Sequence, residues 1–201
     1  MLHRTDTEKG RQARTTAPRA SRGFTTIELV VALAVFLIVA ALVIPNALTM
    51  AEAFRASASV RSIAGQLQLA KMRAAADFTQ TQVNCNLAGS SCQLQVCTTK
   101  GAVTCTTYTN DTKDGALYNL PSNVGFGFGG TNTPAGTQTP IQNTPQIVFN
   151  SRGIPIDNAG APTGNYGLYM TDNAGHTYAV TIYPTGKVAS WRLVNGAWRG
   201  L

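Results

Sequence analysis

The N-terminal quarter of the chain is organised around the sequence Gly23-Phe24-Thr25-Thr26-Ile27-Glu28-Leu29, which opens an apolar run that ends at Ile44. From Leu29 to Ile44, sixteen consecutive residues lack a polar side chain. A helix needs about 20 predominantly apolar residues to cross a bilayer. The run therefore predicts an apolar helix that lies in a membrane and begins beside a single carboxylate.

A cleaved secretory signal peptide is the first alternative explanation for this run. Its length is close to the upper limit for a signal-peptide core, and Ala51-Glu52-Ala53 could serve as the cleavage site. Glu28 argues against this alternative, because a carboxylate in the hydrocarbon costs about 2.5–3.5 kcal/mol and a signal peptide has no use for it. A lipoprotein signal is disfavoured as well, since the first cysteine after the run is Cys85.

The sequence around Glu28 resembles the type III signal of type IV pilins and pseudopilins, in which G-F-T-x-x-E-L precedes an apolar helix. The matching residues are Gly23, Phe24, Thr25, Glu28 and Leu29. The resemblance implies that a membrane prepilin peptidase cleaves between Gly23 and Phe24 on the cytoplasmic side and methylates the new Phe24 amine. It also implies that Glu28 serves assembly by pairing with the Phe24 ammonium of a neighbouring subunit, a buried contact that sets register more than it adds stability.

The positive charge of the chain is concentrated before the cleavage site. Residues 1–23 contain six Lys or Arg and two acidic residues, a net charge of +4. Residues 24–201 contain ten Lys or Arg and seven acidic residues, a net charge of only +3. By the positive-inside rule, the basic segment holds the N terminus in the cytoplasm and places the chain after about residue 46 in the periplasm. The high isoelectric point is therefore weak evidence for nucleic-acid binding by the rest of the chain.

A second helical pattern follows the apolar run. Pro45 predicts a kink or a locally melted helix, because proline removes a backbone donor and clashes with the preceding turn. Helical spacing then resumes in three- and four-residue steps at Val60, Ile63, Ala64, Leu67, Ala70, Ala74 and Phe78. This stripe predicts a periplasmic amphipathic helix over residues 46–78 whose apolar face packs on a sheet.

From residue 79 onward, short alternating segments are separated by turn residues, which predicts a β-rich domain. Strands are predicted at residues 82–87, 92–98, 103–108, 146–150, 166–171, 177–183, 187–194 and 197–199. Residues 125–146 are rich in Gly, Thr and Pro and predict a long surface loop. The predicted fold class is α+β, with a leader (1–23), a transmembrane and assembly helix (24–45), a periplasmic helix (46–78) and an antiparallel β-domain (79–201).

Two segments of the β-domain resemble the GspH/FimT group of pilin-like proteins. Residues 147–153 end a strand with Phe149 and Gly153 in an F-x-x-x-G pattern, and residues 178–188 end with Gly186-Lys187-Val188 in an x-G-R/K-V pattern. The resemblance implies a minor subunit with an initiating or tip role in a type II secretion pseudopilus or a type IV pilus. Its partners would be the prepilin peptidase, the inner membrane and the other pilins or pseudopilins of the filament.

Four cysteines, Cys85, Cys92, Cys97 and Cys105, lie within 21 residues. An even, clustered set in a small polar domain predicts disulfides formed in an oxidising compartment. Zinc is the alternative, but the chain has no CxxC pair. Among three pairings, Cys85–Cys92 with Cys97–Cys105 is favoured because each pair brackets a turn, although a one-residue shift of a strand would turn one sulfur to the opposite face.

No combination of residues in the sequence matches a catalytic, cofactor-binding or metal-binding template. His176 has no nucleophile motif near it and is expected at the surface. The repeated Asp-Asn-Ala-Gly segments at 157–160 and 172–175 predict turns, since two acids so far apart make a poor calcium site. The chain is therefore not expected to be an enzyme.

The C-terminal hairpin carries the second functional hypothesis. Asn195-Gly196 predicts a type I′ turn, which places Leu193 opposite Trp198 and Arg192 opposite Arg199. Like charges directly across a strand pair are destabilising, so the pair is a candidate anion site, although two solvated arginines are an equally simple explanation. Some FimT-type pilins take up DNA through basic residues in this region, and Lys187 and Arg192 fall where that basic strand would lie. A freely secreted domain is the third hypothesis.

Overall fold

The computed structural model describes residues 23–102, 104–113 and 117–201, with the backbone alone at position 45. The chain divides into two compact units, residues 1–43 and residues 44–201. Most of the predicted leader, including its basic residues, lies outside the described residues. The same is true of position 103, at the start of a predicted strand.

Helix α1 extends over Thr26–Ala76 and belongs to both units. Thr25 caps its first turn, since Thr25 Oγ1 accepts the Glu28 amide at 3.3 Å and the Thr25 carbonyl oxygen accepts the Leu29 amide at 3.1 Å. Helical backbone continues through position 45, so the local melting expected there does not occur. Proline removes only one backbone hydrogen bond, and the flanking helical turns keep theirs.

The described part of the first unit is a helical segment without a core of its own. Between residues 23 and 43 every described side chain is exposed except that of Ala40, which is partly exposed. Helix α1 contains an 18-residue window with a mean hydropathy of 3.1, long and apolar enough to cross a membrane. The prepilin-like sequence and this apolar helix fit a chain that is anchored in a membrane at its N terminus.

The second unit buries one face of α1. Six of the seven residues in the predicted stripe are buried: Val60, Ile63, Ala64, Leu67, Ala70 and Ala74. The seventh prediction was wrong, because Phe78 is 76% exposed. The helix ends at Ala76, and Phe78 has a φ of 50°, so its side chain no longer follows the helical period.

The described part of the second unit contains two antiparallel sheets. Their strands are β1 (Thr81–Asn86), β2 (Ser91–Cys97), β3 (Tyr108–Asn110), β4 (Tyr118–Asn119), β5 (Val124–Phe126), β6 (Gln146–Phe149), β7 (Pro155–Ile156), β8 (Tyr166–Asp172), β9 (Thr177–Ile182), β10 (Val188–Val194) and β11 (Ala197–Gly200). The first sheet has the order β3-β2-β1-β6-β7, with β4 paired to β2, and the second has the order β11-β10-β9-β8-β5. The predicted α+β class, a long apolar N-terminal helix followed by antiparallel β-structure, is confirmed.

One core joins α1 to a face of each sheet. The first sheet contributes Val83, Leu94 and Phe149 among others, and the second contributes Leu168, Val180 and Ile182. All six side chains are fully buried. The alternation of apolar and polar residues along these strands therefore separates an inner face from an outer face in both sheets.

A second, smaller core covers the other face of the second sheet. Ala135, in the segment after β5, is fully buried together with Tyr169 and Ala179. The Tyr169 hydroxyl accepts the Ala135 amide at 2.9 Å and donates to Gln138 Oε1 at 2.5 Å. The prediction of a surface loop over 125–146 was thus wrong in part, because aromatic residues on both faces of the second sheet need a cover.

The predicted strands differ from the observed ones mainly where the strands are short. Residues 104–107 are irregular, and pairing begins only at Tyr108 in β3. The prediction also missed β4, β5 and β7, which have two or three residues each. Such short segments show no alternation that a pattern of period two could detect.

Candidate assembly and anion-binding sites

The predicted cleavage site lies in open space. Gly23 is exposed, and a Cβ atom added there would meet no other atom within 4 Å. Phe24 is 80% exposed. The described part of the fold therefore does not itself require glycine at position 23.

Glu28 occupies a position with two distinct chemical roles. With Thr25 as the N-cap, Glu28 is the third residue of the helix, the acidic position of a capping box. Its negative charge also lies at the positive end of the helix dipole, which typically stabilises a helix by about 0.3–1 kcal/mol. Among the described residues, no cation lies within ion-pair distance of the Glu28 carboxylate.

The two disulfides connect the pairs that the turn argument favoured. Cys85 and Cys92 are directly opposite each other in the β1–β2 ladder, with 4.0 Å between their Cα atoms. Cys97 bonds Cys105 across 5.9 Å, but the strand partner of Cys97 is Tyr108. The second bond therefore closes an irregular loop instead of a hairpin.

The two segments that resemble the GspH/FimT group meet at their glycines. Gly153 and Gly186 have φ values of 71° and 77°, and a Cβ atom on Gly186 would overlap the Gly153 carbonyl oxygen. Lys71 of α1 packs beside both glycines and donates from Nζ to the Gly186 carbonyl oxygen. Both glycines lie in the two recognisable segments, whereas Lys71 could not be predicted from sequence, because no motif links a helix residue to two distant turns. Positive φ and close backbone approach explain why both positions are glycine.

The C-terminal hairpin has the predicted register. Asn195 and Gly196 have φ values of 51° and 76°, as a type I′ turn requires. Leu193 is opposite Trp198, and Arg192 is opposite Arg199. The predicted like-charge pair is therefore present, with Arg199 exposed and Arg192 partly buried.

Arg192 contacts the body of the domain. Its guanidinium lies 5.8 Å from the centre of the Tyr178 ring, and its Nε is buried without a hydrogen-bond partner in the described part of the chain. Burial raises the pKa of the Tyr178 hydroxyl, and the Arg192 charge opposes this rise. Met50, Ala53, Phe54 and Ser57 of α1 form the remaining walls of a groove beside Arg192.

Lys187 is not part of this pair. It is exposed, and its Nζ lies 5.7 Å from the centre of the Tyr183 ring. Lys187 and Arg192 are five positions apart in the sequence, about 16 Å along an extended strand. The structure thus brings together two of the three predicted DNA contacts and leaves the third apart.

The remaining polar candidates have structural roles. Asp157 Oδ1 accepts the amides of Ala159 and Ala161, and Asp172 Oδ1 accepts the His176 amide, so both Asp-Asn-Ala-Gly segments are turns. The His176 ring is only partly exposed, and its Nδ1 lies 2.9 Å from Asp172 Oδ2. The expectation of a plain surface histidine was therefore incomplete.

Comparison with known proteins identifies the N-terminal segment. Residues 18–44 match the prokaryotic N-terminal methylation motif, so the chain has a type IV pilin-like N terminus. No curated protein matches the sequence. A structure of the minor pseudopilin EpsH from the Vibrio cholerae type 2 secretion system superimposes with a TM-score of 0.45 and 15% identity, over 73% of this chain and 96% of EpsH. A crystal structure of the same pseudopilin gives a TM-score of 0.40 and 16% identity, over 73% and 93%.

Proposed function

We propose that the chain is a minor pilin or pseudopilin of the GspH/FimT group, a structural subunit of a type II secretion pseudopilus or a type IV pilus. The observation that carries this proposal is the N-terminal methylation motif, which continues directly into an apolar helix with unburied side chains. Cleavage after Gly23 would leave that helix as an inner-membrane anchor and place the second unit in the periplasm. The subunit would initiate or cap the filament.

The apolar helix supports an assembly step in which subunits leave the bilayer. Exposed large side chains such as Leu33, Phe36 and Leu42 need an apolar environment. Lipid provides it before assembly, and the helices of neighbouring subunits would provide it afterwards. Glu28 would then be desolvated, and pairing with the Phe24 ammonium of a neighbour would compensate its charge.

The processing step gives the decisive test. We expect intact-mass analysis of the purified protein to show a mature chain that begins at methylated Phe24. Gly23→Val should leave the uncleaved precursor in the membrane, because the peptidase requires an unobstructed bond. Gly65→Val is a matched control, since Gly65 also has open space around its Cβ position, and this variant should mature normally. A mature chain that begins at Phe54, or normal maturation of Gly23→Val, would contradict the proposal.

DNA binding is the second candidate function, and the observation in its favour is the opposed Arg192–Arg199 pair with the unpartnered Nε. An anion would relieve the repulsion between the two guanidinium groups. The separation of Lys187 limits the number of phosphates that one site could bind. A FimT-like role in DNA uptake therefore depends on two arginines.

A further inference from the structure

The second unit has a groove between α1 and strand β10 that combines apolar and cationic side chains. The groove has a volume of about 280 Å³ and is lined by Met50, Ala53, Phe54 and Ser57 of α1 and by Arg192 of β10. Met50 is 61% exposed and Phe54 is 69% exposed. Exposed apolar side chains grouped beside a cavity are typical of a binding surface. The groove therefore has one wall that favours hydrocarbon and one wall that favours an anion.

Strand register places Arg192 in a row of side chains that begins in the core and ends at the edge of the second sheet. The successive partners across β8, β9, β10 and β11 are Met170, Tyr178, Arg192 and Arg199, and directly opposed residues share one face. Met170 and Tyr178 are fully buried, Arg192 is partly buried and Arg199 is exposed. The row thus leads two like charges from the border of the core into solvent.

The positive charge of this row is not neutralised within the described part of the chain. No described carboxylate lies within ion-pair distance of Arg192 or Arg199, and Arg192 Nε is buried without a hydrogen-bond partner there. Asp172 acts electrostatically on the Tyr178 hydroxyl, but its carboxylate is bonded to the amide and the ring of His176. An arginine with an unpaired donor gains most from an anion with several oxygens, and phosphate is such an anion.

The helix wall of the groove follows directly on the apolar run. A span of about 20 residues crosses the hydrocarbon of a bilayer, and counted from Leu29 it ends at Leu48. Met50 and Phe54 come two and six residues later, which is about 3 and 9 Å of helix. The polar layer on each side of a bilayer is about 5–8 Å deep. Helical side chains also lean toward the N-terminal end of their helix, here the membrane side, so both apolar residues fall at the depth of lipid headgroups.

An amphiphile with an anionic head fits both walls of the groove. Hydrocarbon next to a headgroup suits Met50 and Phe54, and a lipid phosphate suits the arginines. A nucleic acid would leave the two apolar side chains in water, whereas a wholly apolar ligand would leave Arg192 Nε unpaired. Glu52 does not oppose an anion in the groove, because at about 100° per residue it lies about 160° around the helix from Phe54. The class of ligand that satisfies both walls is an anionic phospholipid.

We propose that the groove binds an anionic phospholipid of the membrane that holds the apolar helix. The lipid phosphate would lie between Arg192 and Arg199, and the glycerol and upper acyl carbons would lie against Met50 and Phe54. This inference rests on the proposed function, because that function places the apolar run in a bilayer. Binding would hold the second unit against the membrane surface until the subunit enters the filament.

The test is native mass spectrometry of the full chain, released from detergent micelles that contain equal amounts of phosphatidylglycerol and phosphatidylcholine with the same acyl chains. Lipid that adheres to the apolar run is held by its acyl chains, so the ratio of the two retained lipids reports on the headgroup site. We expect the anionic lipid to be retained about fivefold or more over the zwitterionic lipid, because the two arginines repel the choline cation.

Three variants locate the binding site. Arg192→Gln should lower the ratio about fivefold, and Phe54→Ser should lower the retention of phosphatidylglycerol about threefold, because an apolar contact is lost. Arg55→Gln is the matched control, since Arg55 is an exposed arginine of the same helix that does not line the groove. It should keep the ratio of the unaltered chain. Circular dichroism of each variant establishes that it is folded.

Equal retention of the two lipids, or an unchanged ratio in Arg192→Gln, would overturn the proposal. An equal fall of the ratio in Arg55→Gln would show general attraction to positive charge and would overturn it as well. If Arg192→Gln loses DNA binding but keeps the lipid ratio, the arginine pair serves a nucleic acid and the proposal is wrong.

The groove could also be occupied by a second copy of the chain. Self-association that Phe54→Ser abolishes, with lipid retention unchanged, would assign the groove to that copy and would overturn the proposal. The measurement uses purified chain whether or not it has been cleaved after Gly23. Its failure therefore leaves the processing test unaffected, and a failure of the processing test leaves the lipid ratio measurable.

Discussion

The Glu28 side chain occupies the acidic position of a capping box and, in the proposed filament, would make a contact between subunits. The capping box accepts either Glu or Gln at this position, whereas an ion pair requires the charge. We therefore expect Glu28→Gln and Glu28→Val both to reduce incorporation into filaments strongly. The second unit should remain folded in both variants, and the chain should still fractionate with membranes. Immunoblotting of sheared or purified filaments measures the incorporation.

The two Glu28 variants separate these roles. If capping alone mattered, Glu28→Gln would incorporate as the unaltered chain does and only Glu28→Val would fail. Glu52→Gln is a matched control, because Glu52 lies in the same helix outside the methylation motif. It should incorporate normally. If Glu28→Gln is incorporated as well as the unaltered chain, the proposal of an ion pair between subunits is wrong.

Gly186, a buried turn glycine, is expected to tolerate alanine less well than the exposed turn glycine Gly196. Gly186→Ala combines the cost of a left-handed residue, about 1–2 kcal/mol, with a collision against the Gly153 carbonyl. Gly196→Ala has nearly the same φ of 76° but no atom within 4 Å of its Cβ position. Denaturant unfolding should show a larger loss of stability for Gly186→Ala, by about 1–3 kcal/mol. Equal losses of stability in the two variants would show that the positive φ alone, and not the contact with Gly153, requires glycine at position 186.

At the scale of elements, the C-terminal hairpin makes the DNA hypothesis testable. The variant Arg192→Gln/Arg199→Gln should abolish weak, salt-dependent and sequence-independent binding of duplex DNA. Its thermal midpoint should change little, because relief of the cross-strand repulsion offsets the lost Arg192–Tyr178 contact. Gel-shift titration at low salt measures the binding.

A charge-matched control distinguishes a site from general attraction. Arg55→Gln/Arg61→Gln removes two exposed arginines from α1 and lowers the net charge equally. It should leave DNA binding intact. If the unaltered chain does not shift the DNA band at protein concentrations of about 100 μM, the weak end for nonspecific binders, the DNA hypothesis is wrong. Equal losses in both double variants would show that the hairpin is not a specific site.

The elements that the sequence analysis predicted well are those with many periodic residues. The stripe from Val60 to Ala74 repeats its pattern often enough to identify both the helix and its buried face. The strands β8, β9 and β10 are long enough for their type to be identified. The hairpin register followed from the local chemistry of Asn195 and Gly196. The position of Phe78 could not be predicted, because a single left-handed residue ends the helical period without a glycine to mark it.

At the scale of the molecule, the predicted class was confirmed while the division into two sheets was not anticipated. The β1–β6 pairing joins residues far apart in the chain, and nothing in either strand specifies its partner. The contact of Lys71 with Gly153 and Gly186 is a further example, since it combines a helix with two turns. Local patterns determine elements, whereas such long-range contacts depend on the complete packing.

The strand order has a consequence for the rate at which each sheet forms. Strands β8 to β11 are consecutive and pair with their chain neighbours, so these four strands of the second sheet need only short loops to close, whereas β5 joins β8 across a longer connection. The first sheet must close the long connection between β1 and β6, which costs more chain entropy and slows its formation. In pulse-labelling hydrogen exchange during refolding, amides of β9 and β10 should become protected before those of β6. The β1–β6 pairing of the first sheet would thus form later than the pairing of β8 to β11, although β1 precedes those strands in the chain.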